Sequence, residues 1–169
     1  MGFLRDLFQE KTVPYTAGTL LAPLDGTIVP LAEVADPVFS AGMLGQGVGI
    51  EPKNGELLAP ADGTISLVAK TRHAIGLTTA DEAELLLHIG IDTVEMNGEG
   101  FQCFVRQGQA VKAGQRLMRF DLDKIREAGH GTTVLVLLTN SSDYATVEFA
   151  TQGTVQRNET IGHYAMAQE

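Results

Sequence analysis

A chain of 169 residues with 44% apolar and 20% charged side chains has the size and mix of one soluble domain, and no second core is expected. Asp and Glu number 21 against 12 Lys and Arg, and the resulting net charge of −9 repels phosphate backbones and anionic headgroups, which excludes nucleic acid and acidic membrane surfaces as default partners and favours a basic one. The lone Cys103 allows no internal disulfide, and no stretch approaches the roughly 18 apolar residues of a membrane span, so a cytoplasmic chain without an integral membrane segment is expected.

In chain order, the start MGFLRDLFQEK lacks the basic and uninterrupted apolar regions of an export signal. Phe3, Leu4, Leu7 and Phe8 share one face of a possible short helix that stops at Thr12 to Pro14, so residues 1–17 read as a tail and 18–169 as one domain. Short β-rich runs follow at Gly26 to Val34, Thr64 to Lys70, Ile75 to Thr79, Glu84 to Ile89, Phe101 to Val105, Arg116 to Phe120 and Thr133 to Thr139. They are punctuated by Gly, Pro and Asp-Gly, and the 19 glycines exceed the roughly 7% average. Asp121 can cap a helix over Leu122 to Ala128, with Gly129 as its stop. The fold class is therefore all-β, an antiparallel sandwich or flattened barrel with one or two short helices.

An internal repeat organises it. Leu21-Ala-Pro-Leu-Asp-Gly-Thr-Ile28 returns as Leu58-Ala-Pro-Ala-Asp-Gly-Thr-Ile65, with seven of eight positions identical. In each copy Pro is expected to end the incoming strand, Asp-Gly to supply a positive-φ turn, and Thr-Ile to begin the outgoing strand. A weaker echo links Gly108 to Leu117 with Gly153 to Ile161.

Among four histidines, His130 lies in a loop and His163 near the C-terminus, whereas His73 and His88 lie on successive strand-like runs separated by Ala80-Asp-Glu-Ala83. A four-residue loop over 80–83 would place His73 opposite Gly90 and diagonal to His88, with both imidazoles on one face and Cβ atoms roughly 7–8 Å apart. A loop of three or five residues would send them to opposite faces. Such a pair can ligate a metal, divide acid and base roles, or combine a nucleophile with a donor to phosphoryl oxygens. The apolar Leu85-Leu-Leu-His-Ile run favours a neutral His88.

The run Leu85-Leu-Leu-His-Ile-Gly-Ile-Asp-Thr-Val-Glu-Met-Asn-Gly-Glu-Gly-Phe101 resembles the active-site signature of the glucose-type IIA components of the bacterial phosphoenolpyruvate-dependent sugar phosphotransferase system. Flanking segments sit at similar spacing, among them Asp36-Pro-Val-Phe39, Leu44-Gly-Gln-Gly47, Thr71-Arg-His73 and Phe120-Asp-Leu122, so the resemblance covers about residues 18 to 163. It implies a duplicated β architecture and a phosphocarrier. By the same resemblance, His88 takes the phosphoryl group on Nε2, the main-chain carbonyl of Gly90 holds its Nδ1 proton, His73 stabilises the transferred group, and Thr71 orients His73. Val38, Phe39, Met43, Leu44, Ile75, Leu86 and Val94 match an apolar docking patch, with Asp36 and Asp92 as rim acids. The phosphocarrier protein HPr is the implied donor and a IIB domain, on a separate chain, the implied acceptor. No metal or other cofactor is implied, and a carrier that shows one face to two partners has no need of a dimer, so a monomer is expected. Ala69, Ile75 and Leu86 stand where some relatives carry phenylalanine. Two alternatives remain open: a zinc peptidase of lysostaphin type, suggested by the His88-x-x-x-Asp92 spacing but lacking the expected His-x-His, and a regulatory binding module without turnover.

Overall fold

The computed structural model describes residues 12–167, so the helix expected around Phe3 to Phe8 lies outside the described residues. Within them the strands are β1 (Thr19–Leu21), β2 (Gly26–Pro30), β3 (Gln46–Pro52), β4 (Glu56–Leu58), β5 (Gly63–Val68), β6 (Ala74–Thr79), β7 (Glu84–Ile89), β8 (Phe101–Cys103), β9 (Ala110–Val111), β10 (Arg116–Phe120), β11 (Val134–Leu138), β12 (Thr146–Phe149), β13 (Thr154–Val155) and β14 (Thr160–Ala165). Two short helices, α1 (Pro37–Ser40) and α2 (Leu122–Glu127), complete the regular structure beside three 3-10 turns. Every strand pairing is antiparallel. An eight-stranded sheet runs β13-β2-β3-β11-β7-β6-β5-β9, accompanied by the three-stranded sheets β1-β14-β12 and β4-β10-β8. The expected all-β sandwich is what forms.

Alternation along the central strands divides the side chains between two faces. Leu85, Leu87 and Ile89 of β7 join Ile75, Leu77, Val134 and Val136 in the main core together with Leu57, Leu117 and Met118 from a smaller sheet. Each such buried aliphatic contributes about 1.5–3 kcal/mol. The opposite face carries a small second cluster of Val34, Phe39, Leu135 and Leu137, with Leu86 and Ile91 packed against it. Among the described residues no helix is long and apolar enough to cross a membrane.

The repeat is visible as paired backbone bonds. Leu21 N–H donates to the Pro60 carbonyl at 2.9 Å, and Leu58 N–H donates to the Pro23 carbonyl at 2.7 Å, so each copy holds the other at equivalent atoms. The weaker echo is equally physical: β9 pairs with β5 as β13 pairs with β2. The turn chemistry differs from expectation, because neither Gly26 nor Gly63 has positive φ. These glycines instead permit close approach, since a methyl at 26 would lie 2.3 Å from the Glu51 carbonyl oxygen and one at 63 would lie 2.4 Å from that of Thr78. The neighbouring aspartates anchor loops: Asp62 accepts from Ala113 N–H and Asp25 from Arg157 N–H, both at 2.7 Å.

Several strands differ from their sequence pattern. β2 ends at Pro30, where a 3-10 turn over Leu31–Glu33 replaces the expected extension to Val34. β3 is a central strand with no strand-like pattern in Gln46-Gly-Val-Gly-Ile-Glu-Pro52. Helix α2 forms as expected, with the Asp121 side chain accepting from Lys124 N–H at its start and Gly129 at φ +84 beyond its end.

Candidate active site

His88 sits near the end of β7, a central strand flanked by β6 and β11, with Ala74 and Leu135 as its direct cross-strand neighbours. Leu85, Leu87 and Ile89 point into the core, which turns His88 and Leu86 to the second face. There the Phe39 ring lies 4.9 Å from the His88 ring, tilted by 58°. Phe39 is held by α1, whose start is fixed by the Asp36 carboxylate accepting from Val38 N–H at 2.9 Å and by Pro37 at the first helical position.

His73 reaches the same place by a different route from the one its spacing suggests. Pairing places Ala74 level with His88 and so His73 opposite Ile89 instead of Gly90, and the loop is three residues, 80–82, closed by Thr79 N–H donating to the Ala83 carbonyl at 2.9 Å. Glu82 at φ +67 completes the turn. Regular alternation from that register would put His73 on the face of its partner Ile89, whose N–H donates to the His73 carbonyl at 2.8 Å. His73, however, precedes β6 and follows Arg72 at φ +59, so the pleat does not dictate its direction. The two imidazoles meet with centroids 5.0 Å apart at 79°, edge to face. The four-residue loop was therefore the wrong premise for a juxtaposition that does occur.

Thr71 Oγ1 lies 2.6 Å from His73 Nδ1, which leaves Nε2 as the ring nitrogen of His73 without a hydrogen-bond partner among the described residues. His88 Nδ1 is buried, and among the described residues no acceptor meets hydrogen-bond geometry to it. The expected bond to the Gly90 carbonyl is thus not closed, although that carbonyl lies near enough to favour the protonated ring. Burial dominates and, with the neighbouring His73, pushes the His88 imidazole down to about 4, against the smaller upward pull of Gly90, Asp36 and Asp92. Burial also lowers His73. Both shifts favour the uncharged ring at neutral pH.

The other expected contact residues divide. Val38, Met43, Leu44 and Val94 are exposed apolar side chains, with Met43 at 73% and Val94 at 51%. Asp36 is half-buried and Asp92 exposed, the latter at φ +59 just before the 3-10 turn Thr93–Met96. Ile75 is fully buried in the main core and cannot touch a partner, because its side chain alternates away from the histidine face. Phe39 and Leu86 pack into the second cluster and shape the floor of the site instead of presenting a surface. Leu135, the cross-strand neighbour of His88, becomes recognisable only from strand order. Among the described residues no group of three His, Cys, Asp or Glu converges, so a zinc peptidase finds no ligand set.

Comparison with known proteins agrees with this geometry. Residues 18–144 match the family described as phosphoenolpyruvate-dependent sugar phosphotransferase system, EIIA 1. The glucose-specific EIIA component of Oceanobacillus iheyensis is 41% identical over 85% of this chain and 87% of its own length. The beta-glucoside-specific EIIBCA component of Bacillus subtilis is 40% identical over 83% of this chain, which spans only 23% of that longer protein. Glucose permease IIA from Mycoplasma capricolum superposes with a TM-score of 0.77 at 38% identity, covering 85% of this chain and 93% of that one. Sequence, structure and the neutral histidine pair converge, and the chain belongs to the EIIA 1 family of the phosphoenolpyruvate-dependent sugar phosphotransferase system.

Proposed function

We propose that this chain is a phosphocarrier in which His88 Nε2 takes a phosphoryl group from phospho-HPr and passes it to a IIB domain for coupled sugar uptake. The observation that carries the assignment is the His88 ring itself, neutral at pH 7, its Nδ1 sealed and its neighbour His73 edge-on at 5.0 Å. With Nδ1 buried, Nε2 is the nitrogen left to attack. The N–P bond of the donor phosphohistidine breaks as the Nε2–P bond forms, and the His88 proton stays on Nδ1 beside the Gly90 carbonyl. Thr71, donating to His73 Nδ1, leaves the His73 proton on Nε2, aimed at phosphoryl oxygens that carry charge in the transition state. Apolar surroundings slow hydrolysis of the labile product.

Val38, Met43, Leu44 and Val94, rimmed by Asp36 and Asp92, form the docking face for both basic partners in turn, and one face suffices for a monomer. The EIIBCA relative, a B and an A unit on one chain, supports a IIB acceptor. The cytoplasmic location follows from the phosphoenolpyruvate that feeds such a relay. Residues 18–169 act as one unit, since β14, beyond the family match, is the strand on which β1 pairs.

The test is incubation with phosphoenolpyruvate, enzyme I and HPr. A mass gain of one acid-labile phosphoryl group, lost in His88→Gln, is the expected result; an unlabelled wild-type chain overturns the carrier reading. His73→Gln accepts the group but delivers it poorly, and normal onward transfer by that variant removes the role given to His73.

A further inference from the structure

The turn that follows His88 is held by a residue the catalytic scheme does not use. Thr93 is fully buried, and its hydroxyl donates to the Ile89 carbonyl, the last carbonyl of β7. Two of the three intervening N–H groups are also committed: Gly90 N–H donates to the Thr133 carbonyl at 2.9 Å and Ile91 N–H to the Gly131 carbonyl at 3.0 Å. Gly90 turns the chain at φ +76 and Asp92 turns it again at φ +59. The Thr93 methyl closes over Gly90, lying 2.5 Å from where a side chain at that position would begin. The Thr93 hydroxyl therefore holds the Ile89–Gly90 peptide by its carbonyl, and the Thr93 methyl closes over the Cα about which the next peptide plane, Gly90–Ile91, would turn.

That plane carries the carbonyl beside the His88 ring, whose Nδ1 is buried and unpartnered. A buried imidazole N–H without an acceptor costs more than a satisfied one, so the orientation of the nearest carbonyl decides which nitrogen keeps the proton. From this geometry we infer that Thr93 is a positioning residue: by clamping the Ile89–Asp92 turn it aims the Gly90 carbonyl at His88 Nδ1, fixes the Nδ1–H tautomer and thereby frees the Nε2 lone pair. Thr93 touches neither the phosphoryl group nor a reacting atom. The inference rests on the assignment of His88 Nε2 as the acceptor, and it adds the device that selects that nitrogen.

Thr93→Val keeps the shape and removes the hydroxyl, whereas Thr93→Ser keeps the hydroxyl and removes the methyl. Nitrogen-15 NMR of the histidine ring in the unphosphorylated chain at pH 7.5 reads the tautomer without requiring any transfer. Wild type and Thr93→Ser are expected to show His88 protonated on Nδ1, and Thr93→Val a several-fold larger share protonated on Nε2. Acceptance of phosphate from phospho-HPr is expected to slow about tenfold in Thr93→Val, a loss on the scale of a misplaced catalytic group, with the final stoichiometry of labelling unchanged. A wild-type tautomer ratio and rate in Thr93→Val overturns the inference, as does a Thr93→Ser variant impaired equally. Should the valine variant not fold, Thr93→Ala replaces it with the same expectations and the same overturning results. A wild-type chain that takes no phosphate defeats the carrier reading, while the tautomer comparison still judges Thr93 separately.

Discussion

The role proposed for His88 as a nucleophile needs a neutral ring, and burial outweighs every group that would protonate it. Its imidazole sits at about 4, well below the ordinary 6.5, so acceptance of phosphate should hold level as pH falls through 6.5 and decline only as it nears 4. Labelling rates with a donor kept saturating, paired with a His88 NMR titration, check this; a break near 6.5 in both would falsify the burial argument. Stability carries the matching sign. Between about 4 and 6.5 the unfolded chain binds a proton at this position that the folded chain refuses, so stability rises with pH across that window and is complete above it, by roughly 3 kcal/mol at most. Gly90 offers a second test at this scale. An alanine there meets the Thr93 methyl at 2.5 Å and the Gly131 carbonyl at 3.0 Å from a left-handed backbone, so Gly90→Ala should lower the melting temperature and slow phosphate acceptance together. A variant that keeps wild-type rate and melting temperature would show that the turn is not under constraint.

Elements were legible where side-chain pattern and backbone demand coincide. β7 and β10 have the limits their residues suggest, and α2 announces itself through Asp121 and Gly129. β3 was not legible, since glycine is depleted in strands, yet here the sheet needs it: a methyl at Gly47 would lie 2.2 Å from the Val136 carbonyl oxygen. Nor was the β6–β7 register, because it depends on Glu82 accepting a left-handed conformation that its side chain does not signal. The histidine pair was legible as a pair only, its meeting arranged by Arg72 and not by the pleat. The repeat was legible in its sequence and not in its chemistry. Asp62 and Asp25 each receive a loop N–H, but Asp25 also holds the Arg157 guanidinium at 3.1 Å, and its carboxyl is lowered chiefly by the Arg157 N–H and side chain. Asp62→Ala should therefore cost about 1–2 kcal/mol, with Asp25→Ala costing more. The Asp25 contribution is present above the unfolded carboxylate range and fades as acid protonates it, so the gap between the two variants should close at low pH. Denaturant melts at pH 7 and pH 3 measure both; equal losses at pH 7 would remove the distinction.

Across the whole molecule, duplication builds a frame in which the proposed site lies on the middle of the central sheet. The two copies clasp one another through Leu21 with Pro60 and Leu58 with Pro23, and β7 and β11 lie side by side at the middle of the sheet. On the outer face of that centre, Phe39, Leu86, Leu135 and Leu137 make a dry floor, and Val38, Met43, Leu44 and Val94 stand exposed. Such a surface suits brief encounters: apolar contact without a buried ion pair, plus acids that steer a basic partner. Steering by exposed charge is screened within roughly 10 Å at 0.1 M salt, so association with the donor should slow as ionic strength rises, while the intrinsic step at His88, half-buried and uncharged, should not. Met43 separates these contributions. At 73% exposure it lends the fold little, so Met43→Glu should leave the melting temperature within about a degree of wild type. The same change places a carboxylate among contacts that a partner must desolvate, so kcat/KM for phosphate acceptance should fall about tenfold or more through KM with kcat held. Loss of kcat at constant KM would instead place Met43 in the reacting site, and no change in either would move the docking face elsewhere.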